Sequence, residues 1–177
     1  MGDRLRARSN GRLAIEQHRT GQTSFIASTV SDVAASVDIP IATTATSELI
    51  DITEQVRTIV SDCALQTGIA LVSSPHTTCA VIVNESEEGF TRDFPRALER
   101  IAPIHAAYDH NEAPHDEADE APNGYAHVRA AFLSSPSVMV PVRDGALALG
   151  RWQRIFFVEL DRARPRRAQV TLLGRAG

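Results

Sequence analysis

Three histidines are the residues in this chain best suited to chemistry. His76 lies in the segment S-P-H-T-T, between two apolar runs. His110 lies in D-H-N-E, within an acidic stretch, and His127 lies in Y-A-H-V-R-A. Neutral imidazoles suit Zn²⁺, Ni²⁺, Fe²⁺ or Cu²⁺. Three protein ligands with one open position is the arrangement of a catalytic zinc. The spacings of 34 and 17 residues do not by themselves tie the three together. Taken singly, each also reads as an ordinary surface or core histidine. His18, His105 and His115 carry only that ordinary reading.

Neighbouring residues extend the set. Thr77 and Thr78 offer hydroxyls to an anion or to a metal-bound imidazole. Glu85, in V-N-E, reads either as a general base or as a carboxylate capping the helix after it. Asp144 reads as a site carboxylate or as a turn residue. Trp152 and Gln153 line a pocket, or Trp152 is plain core.

These residues need a scaffold, and the chain has enough length for one. Its 177 residues fit a single domain. The net charge of -4 argues against nucleic acid as a partner, because phosphate backbones require a basic face. All 18 basic residues are arginine, so lysine Schiff-base chemistry is excluded. No run approaches the roughly 18 apolar residues of a membrane span. No secretory signal is visible, so the expected compartment is the cytoplasm. Cys63 and Cys79 form no CxxC and read as small apolar residues.

The first ~38 residues are arginine-rich and glycine-interrupted, which predicts a flexible extension over 1–38, with at most a short strand near 24–30. A domain over 39–177 follows. Ile39 to Ala45 alternates as a strand. Asp51-Ile52-Thr53-Glu54 predicts a helix start, Val56, Ile59, Val60 and Cys63 an apolar stripe, and Gly68 its stop. Ile69–Ser73 and Cys79–Val83 predict strands. A second helix spans about 87–101 around Pro95, and Asn123 caps a third running to about Leu133. Residues 103–122 form a long polar loop. Val138–Val142, the turn at Asp144-Gly145, Ala146–Leu149, Ile155–Leu160 and Ala168–Leu173 predict a β-rich end, with 162–167 a loop. Runs of strands with inserted helices predict an α+β fold with packed, mostly antiparallel sheets.

An ordered set of motifs carries a resemblance. It runs D-I-T-E (51–54), H-T-T (76–78), N-E (84–85), R-D-F (92–94), H-N-E (110–112) and A-H (126–127). It continues through P-V-R-D-G (141–145), L-A-L-G (147–150), W-Q (152–153) and V-E-L-D (158–161). Over about residues 40–174 the chain resembles the YjbQ family, also called the secondary thiamine-phosphate synthase enzyme family. The resemblance implies a compact α+β domain that assembles as a homotrimer. It implies a metal pocket at His76, His110 and His127, and an activity that joins hydroxymethylpyrimidine diphosphate to thiazole phosphate with release of pyrophosphate. That activity is thought to be secondary to an unsettled physiological one.

Within that reading Glu85, Asp144 and Arg143 are the candidate catalytic residues. Thr77, Thr78, Asn111, Arg151, Trp152 and Gln153 are the candidates for a small phosphorylated substrate. Histidine ligands favour zinc over magnesium, which prefers oxygen. The mismatch between a zinc site and pyrophosphate chemistry keeps two alternatives open. One is a zinc-dependent hydrolase of a small phosphate or ester. The other is a non-catalytic trimer that binds a metal or an anion. The chain departs from the family pattern at Ser134, where a glycine is common, and at Arg151, where threonine is usual.

Overall fold

The computed structural model describes residues 32–112, 122–133 and 136–177. The expected extension up to residue 31, its short strand and Ser134 lie outside the described residues, as do His18 and His115. The remainder is α+β, with eight strands and three helices among the described residues.

Two antiparallel sheets stack face to face. The larger contains β1 (Asp32–Ala42), β8 (Pro165–Ala176), β3 (Leu65–Ser73), β5 (Ser137–Arg143) and β6 (Ala146–Leu147), in that order. The smaller contains β2 (Glu48–Asp51), β7 (Gln153–Glu159) and β4 (Cys79–Glu85). Side chains alternate along a strand, so each sheet offers two faces. Ala70, Val72, Val140, Val142, Ala168, Val170 and Leu172 of the larger sheet meet Val81, Ile155 and Phe157 of the smaller. Val56 and Val60 of helix α1 (Thr53–Asp62) close that core. Ala80, Phe156 and Val158 point the other way, where Leu98 of α2 (Glu88–Ile101) and Tyr125 and Ala126 of α3 (Gly124–Phe132) cover them. The layers are sheet, sheet, helices. β7 is buried on both faces, which is why its sequence reads as an unbroken apolar run.

Several boundaries differ from the sequence reading, each for a physical reason. β1 begins at Asp32, seven residues ahead of the expected domain start, because Asp32 through Ala42 pair continuously with β8. Gly68 is not a helix stop. Helix α1 ends at Asp62, and the chain reverses through Ala64 at φ 51°. Gly68 sits inside β3, where a Cβ would stand 2.1 Å from the Leu173 carbonyl oxygen. Residues 165–167 belong to β8 rather than a loop, since Pro165 occupies the strand's first position, where its missing N–H is tolerated. Pro95 sits within α2 without ending it. Asp144 and Gly145, at φ 50° and 75°, make the tight turn from β5 to β6.

Candidate functional site

Strand parity explains how charge enters the interior. Glu159 shares its face of β7 with Ile155 and Phe157, so it points between the sheets and is fully buried. Arg166 shares its face of β8 with Ala168 and Val170, so it enters the same layer from the opposite sheet. The two meet as a fork, Nε to Oε2 at 2.6 Å and Nη2 to Oε1 at 2.8 Å. The Leu160 and Asp161 amides also donate to Glu159, at 3.1 and 2.9 Å. Burial alone would lower the Arg166 pKa, but the Glu159 hydrogen bonds and the surrounding negative charges together outweigh it and raise the value. Next to this pair, the Arg164 guanidinium binds the Asp161 carboxylate.

A cavity of about 230 Å³ opens above these pairs, lined by Pro75, His76, Thr77, Thr78, Asn123, His127, Arg164 and Arg166. The β3–β4 connection carries His76 and both threonines, α3 carries His127, and the start of β8 carries Arg166. The Thr78 hydroxyl accepts from Arg166 Nη2 at 3.1 Å. His76 Nε2 accepts the Arg167 backbone N–H at 3.2 Å. Burial holds the His76 pKa below its ordinary value, and the Arg166 charge adds to that effect. His127 packs against His110, with ring centroids 4.4 Å apart. His110 Nε2 in turn hydrogen-bonds Asn123 Oδ1 at 3.2 Å. His76 and His127 therefore share one cavity, with His110 packed against His127, although 34 and 17 residues separate the three along the chain.

Known proteins share this arrangement of chain. The sequence pattern of the family described as UPF0047 protein YjbQ-like matches residues 37–175. The chain belongs to the YjbQ family. A UPF0047 protein of Archaeoglobus fulgidus is 40% identical over 137 residues, covering 77% of this chain and all of the relative. YugU of Bacillus subtilis is 31% identical over 77% of this chain and 97% of its own length. A YbjQ-like protein of unknown function from Sulfolobus solfataricus superimposes with a TM-score of 0.74 at 35% identity, covering 81% of this chain and 99% of that one. A hypothetical protein from Aeropyrum pernix gives 0.72 at 31% identity, covering 79% and 98%.

The structure of this YjbQ-family chain divides the predicted site residues into two groups. Glu85, Arg151 and Trp152 line a second cavity of about 300 Å³, with Asp51, Ser86 and Arg154. It lies at the far end of the smaller sheet. Cys79 pairs with Glu159 at one end of β4 and β7, and Glu85 pairs with Gln153 at the other. Six strand residues separate the two positions, roughly 20 Å at about 3.3 Å each. Glu85 therefore does not reach the histidine cavity of its own chain. Trp152 is 60% exposed rather than core, with the Arg151 guanidinium 4.7 Å above its ring. Gln153 folds back to accept the Gly150 N–H at 2.8 Å, which shapes the turn before β7.

Three further candidates have structural places. Asn111 accepts the Gly124 N–H at 2.9 Å and ties its short 3₁₀ turn to the start of α3. Asp144 is a turn residue, and Arg143 is exposed at the end of β5. The helix cap after β4 is Glu87, whose carboxylate accepts the Gly89 and Phe90 amides, and not Glu85. Sequence reasoning missed Arg164 and Arg166. Their one signal was the V-E-L-D acids, which at the end of a doubly buried strand require basic partners.

The donor types around this cavity suit a divalent metal in kind. The donors are imidazoles, and His76 is held toward its neutral, ligating form. Among the described residues no three His, Cys, Asp or Glu side chains converge as a ready ligand set. One local obstacle is visible. With Nε2 accepting from Arg167, the neutral His76 ring carries its proton on Nδ1. A metal at His76 would have to displace that backbone hydrogen bond. Cys79 is a poor ligand, because burial pushes its thiol up to about 12. No helix among the described residues is long and apolar enough to cross a membrane.

Proposed function

We propose that this chain is a metal-assisted enzyme acting on a small phosphorylated substrate in the histidine cavity. The reaction to test first is thiamine phosphate synthesis, the one implied by the family resemblance. One observation carries the reading: a single cavity collects His76, His127, Thr77 and Thr78, with His110 in ring contact with His127. His76, His110 and His127 would hold the metal, zinc in preference to magnesium because the donors are nitrogen. Such an ion supplies Lewis acidity toward a phosphoryl oxygen. Thr77 and Thr78 orient the phosphate, and Asn123 and the Asp161 carboxylate behind it hold the His110 ring in place.

The proposed assembly is a homotrimer. Supporting it, Met139 and Leu173 are 61% and 48% exposed on the outer face of the larger sheet, in rows that also hold Leu71, Ile69 and Pro141. Two free cysteines suit a reducing compartment, here the cytoplasm.

The cavity's size favours a second reading, hydrolysis of one small phosphate or ester. About 230 Å³ falls below the roughly 300–1,000 Å³ usual for drug-sized ligands, and two joined substrates need more room than one phosphate ester. The test is zinc-loaded full-length protein incubated with hydroxymethylpyrimidine diphosphate and thiazole phosphate. Thiamine phosphate formed by the wild type and lost in His127→Ala supports the first reading. Phosphate release from small monoesters, without thiamine phosphate, supports the second. Equal turnover by His127→Ala overturns both.

A further inference from the structure

The sequence placed a phosphate contact at Arg151 and a catalytic role at Arg143, but neither lines the histidine cavity. The positive charge there comes from Arg164 and Arg166, and each is fixed from behind. Arg166 has a side chain only 6% exposed and spends Nε and Nη2 on Glu159 and Thr78. Among the described residues its Nη1 makes no hydrogen bond. Arg164 spends Nη2 on Asp161. Its Nε is buried and has no hydrogen-bond partner among the described residues. A buried guanidinium donor left unpaired is costly and rare in native structures. Arg162, 3.7 Å from Asp161, adds a third cation behind the same wall, where one Nη1 is also buried without a hydrogen bond.

The local balance is therefore three guanidiniums, Arg162, Arg164 and Arg166, against two carboxylates, Glu159 and Asp161. The surplus guanidinium is Arg162, which is 37% exposed and stands outside the cavity lining, while Arg164 and Arg166 reach a cavity rimmed by hydroxyls. Carboxylates that hold two guanidiniums in place on one cavity wall leave their remaining planar N–H donors fixed there, which suits the oxygens of a tetrahedral oxyanion.

We propose that Arg164 and Arg166, held by Asp161 and Glu159, form a phosphoryl-oxyanion subsite in the floor of the histidine cavity, with Thr78 at its edge. The subsite rests on the reading above in taking a phosphorylated substrate, but it does not require the metal or any turnover. It accepts the phosphate of a bound ester or the free phosphate released from it, by the same donors.

The experiment is calorimetric titration of inorganic phosphate, and separately pyrophosphate, into chelator-stripped full-length protein. Saturable binding by the wild type is expected, weakened at least about tenfold in Arg164→Gln through loss of one charge-assisted hydrogen bond. Arg57→Gln, on the exposed face of α1, leaves affinity unchanged. Circular dichroism checks that Arg164→Gln is folded. If it is not, Arg164→Lys keeps the charge, loses the fork and is expected to weaken binding several-fold.

Equal affinity in the folded Arg164 variant overturns the proposal, as does an absence of saturable binding by the wild type. Phosphate binding that appears only after zinc is restored assigns the anion to the metal and also overturns it. Failure of thiamine phosphate synthesis leaves these titrations unaffected, so the two ideas fail separately.

Discussion

Replacing Arg166 by methionine tests the central electrostatic claim. The substitution keeps most of the side-chain volume and removes the charge. Glu159 is fully buried and would lose two charged hydrogen bonds, at 2.6 and 2.8 Å. Hydrogen bonds to charged groups contribute about 1.5–3 kcal/mol each, so the pair sets a range of about 3–6 kcal/mol. The Leu160 and Asp161 amides and the Thr43 hydroxyl, at 3.1, 2.9 and 3.3 Å, still face the orphaned carboxylate and soften the loss. The expected cost is then about 3–5 kcal/mol, the range for removing one partner of a buried pair. The assay is urea denaturation at neutral pH, followed by circular dichroism. The double variant Glu159→Gln/Arg166→Met removes the stranded charge while keeping an acceptor for the two amides. It should recover at least half of the loss. A single-variant cost below about 1 kcal/mol, or a double variant as unstable as the two singles summed, would refute the reasoning.

Other outcomes follow from separate parts of the structure. Gly68→Ala puts a Cβ 2.1 Å from a backbone oxygen of the neighbouring strand, which must move. A loss of more than about 2 kcal/mol is expected in a thermal melt, and a neutral result would remove the claimed close approach. Asp51 accepts from the Thr53 amide and from Arg154, which hold its pKa low although burial opposes them. A carboxylate depressed on folding stabilises above its unfolded pKa of ~3.9 and loses that contribution as pH falls through the folded value. Asp51→Ala should therefore cost about 1–2 kcal/mol at pH 7, with the gap to wild type narrowing below about pH 4. His76 carries the opposite charge: burial lowers its pKa, so protonation disfavours the fold as pH drops below about 6.5. An NMR titration placing His76 above that ordinary value would contradict its burial beside Arg166.

Much of the architecture was legible because periodicity reports burial directly. Val56, Ile59, Val60 and Cys63 marked α1, and the unbroken run from Ile155 to Leu160 marked a strand covered on both faces. Asp144-Gly145 marked its turn, since both residues tolerate positive φ. The errors arose where one residue type serves two purposes. Glycine ends helices and also permits two strands to touch. At Gly68 the second purpose holds, and only the pairing of β3 with β8 reveals it. The stretch from Arg162 to Arg167 has the composition of a solvated loop. Its alternate residues nonetheless turn inward, because Ala168, Val170 and Leu172 set the parity of the strand that Pro165 begins.

The neighbourhood of the imidazoles was more legible than that of the charges, for a reason of geometry. Histidines attract notice wherever they fall, and the structure puts His76 and His127 in one cavity with His110 against His127. Glu85 and Glu159 are both acids on strands of the smaller sheet, and the sequence ranks neither above the other. Antiparallel pairing sends them to opposite ends, with Glu85 beside Gln153 and Glu159 beside Cys79. The exposed acid lies in the cavity that has Trp152 and no histidine. The buried acid holds an arginine beneath the cavity that has the histidines. Among the described residues no carboxylate lines that cavity, and the two behind it, Glu159 and Asp161, are committed to guanidiniums. In the proposed reaction, proton transfer within one chain's described cavity would fall to an imidazole or to the substrate's own phosphate. In that reaction, a contribution from Glu85 would have to come from a neighbouring copy. Loss of turnover in Glu85→Gln, restored by mixing it with an inactive His127→Ala chain, would place the two residues on different subunits. Retention of full turnover by Glu85→Gln would leave the acid–base work with the histidines alone.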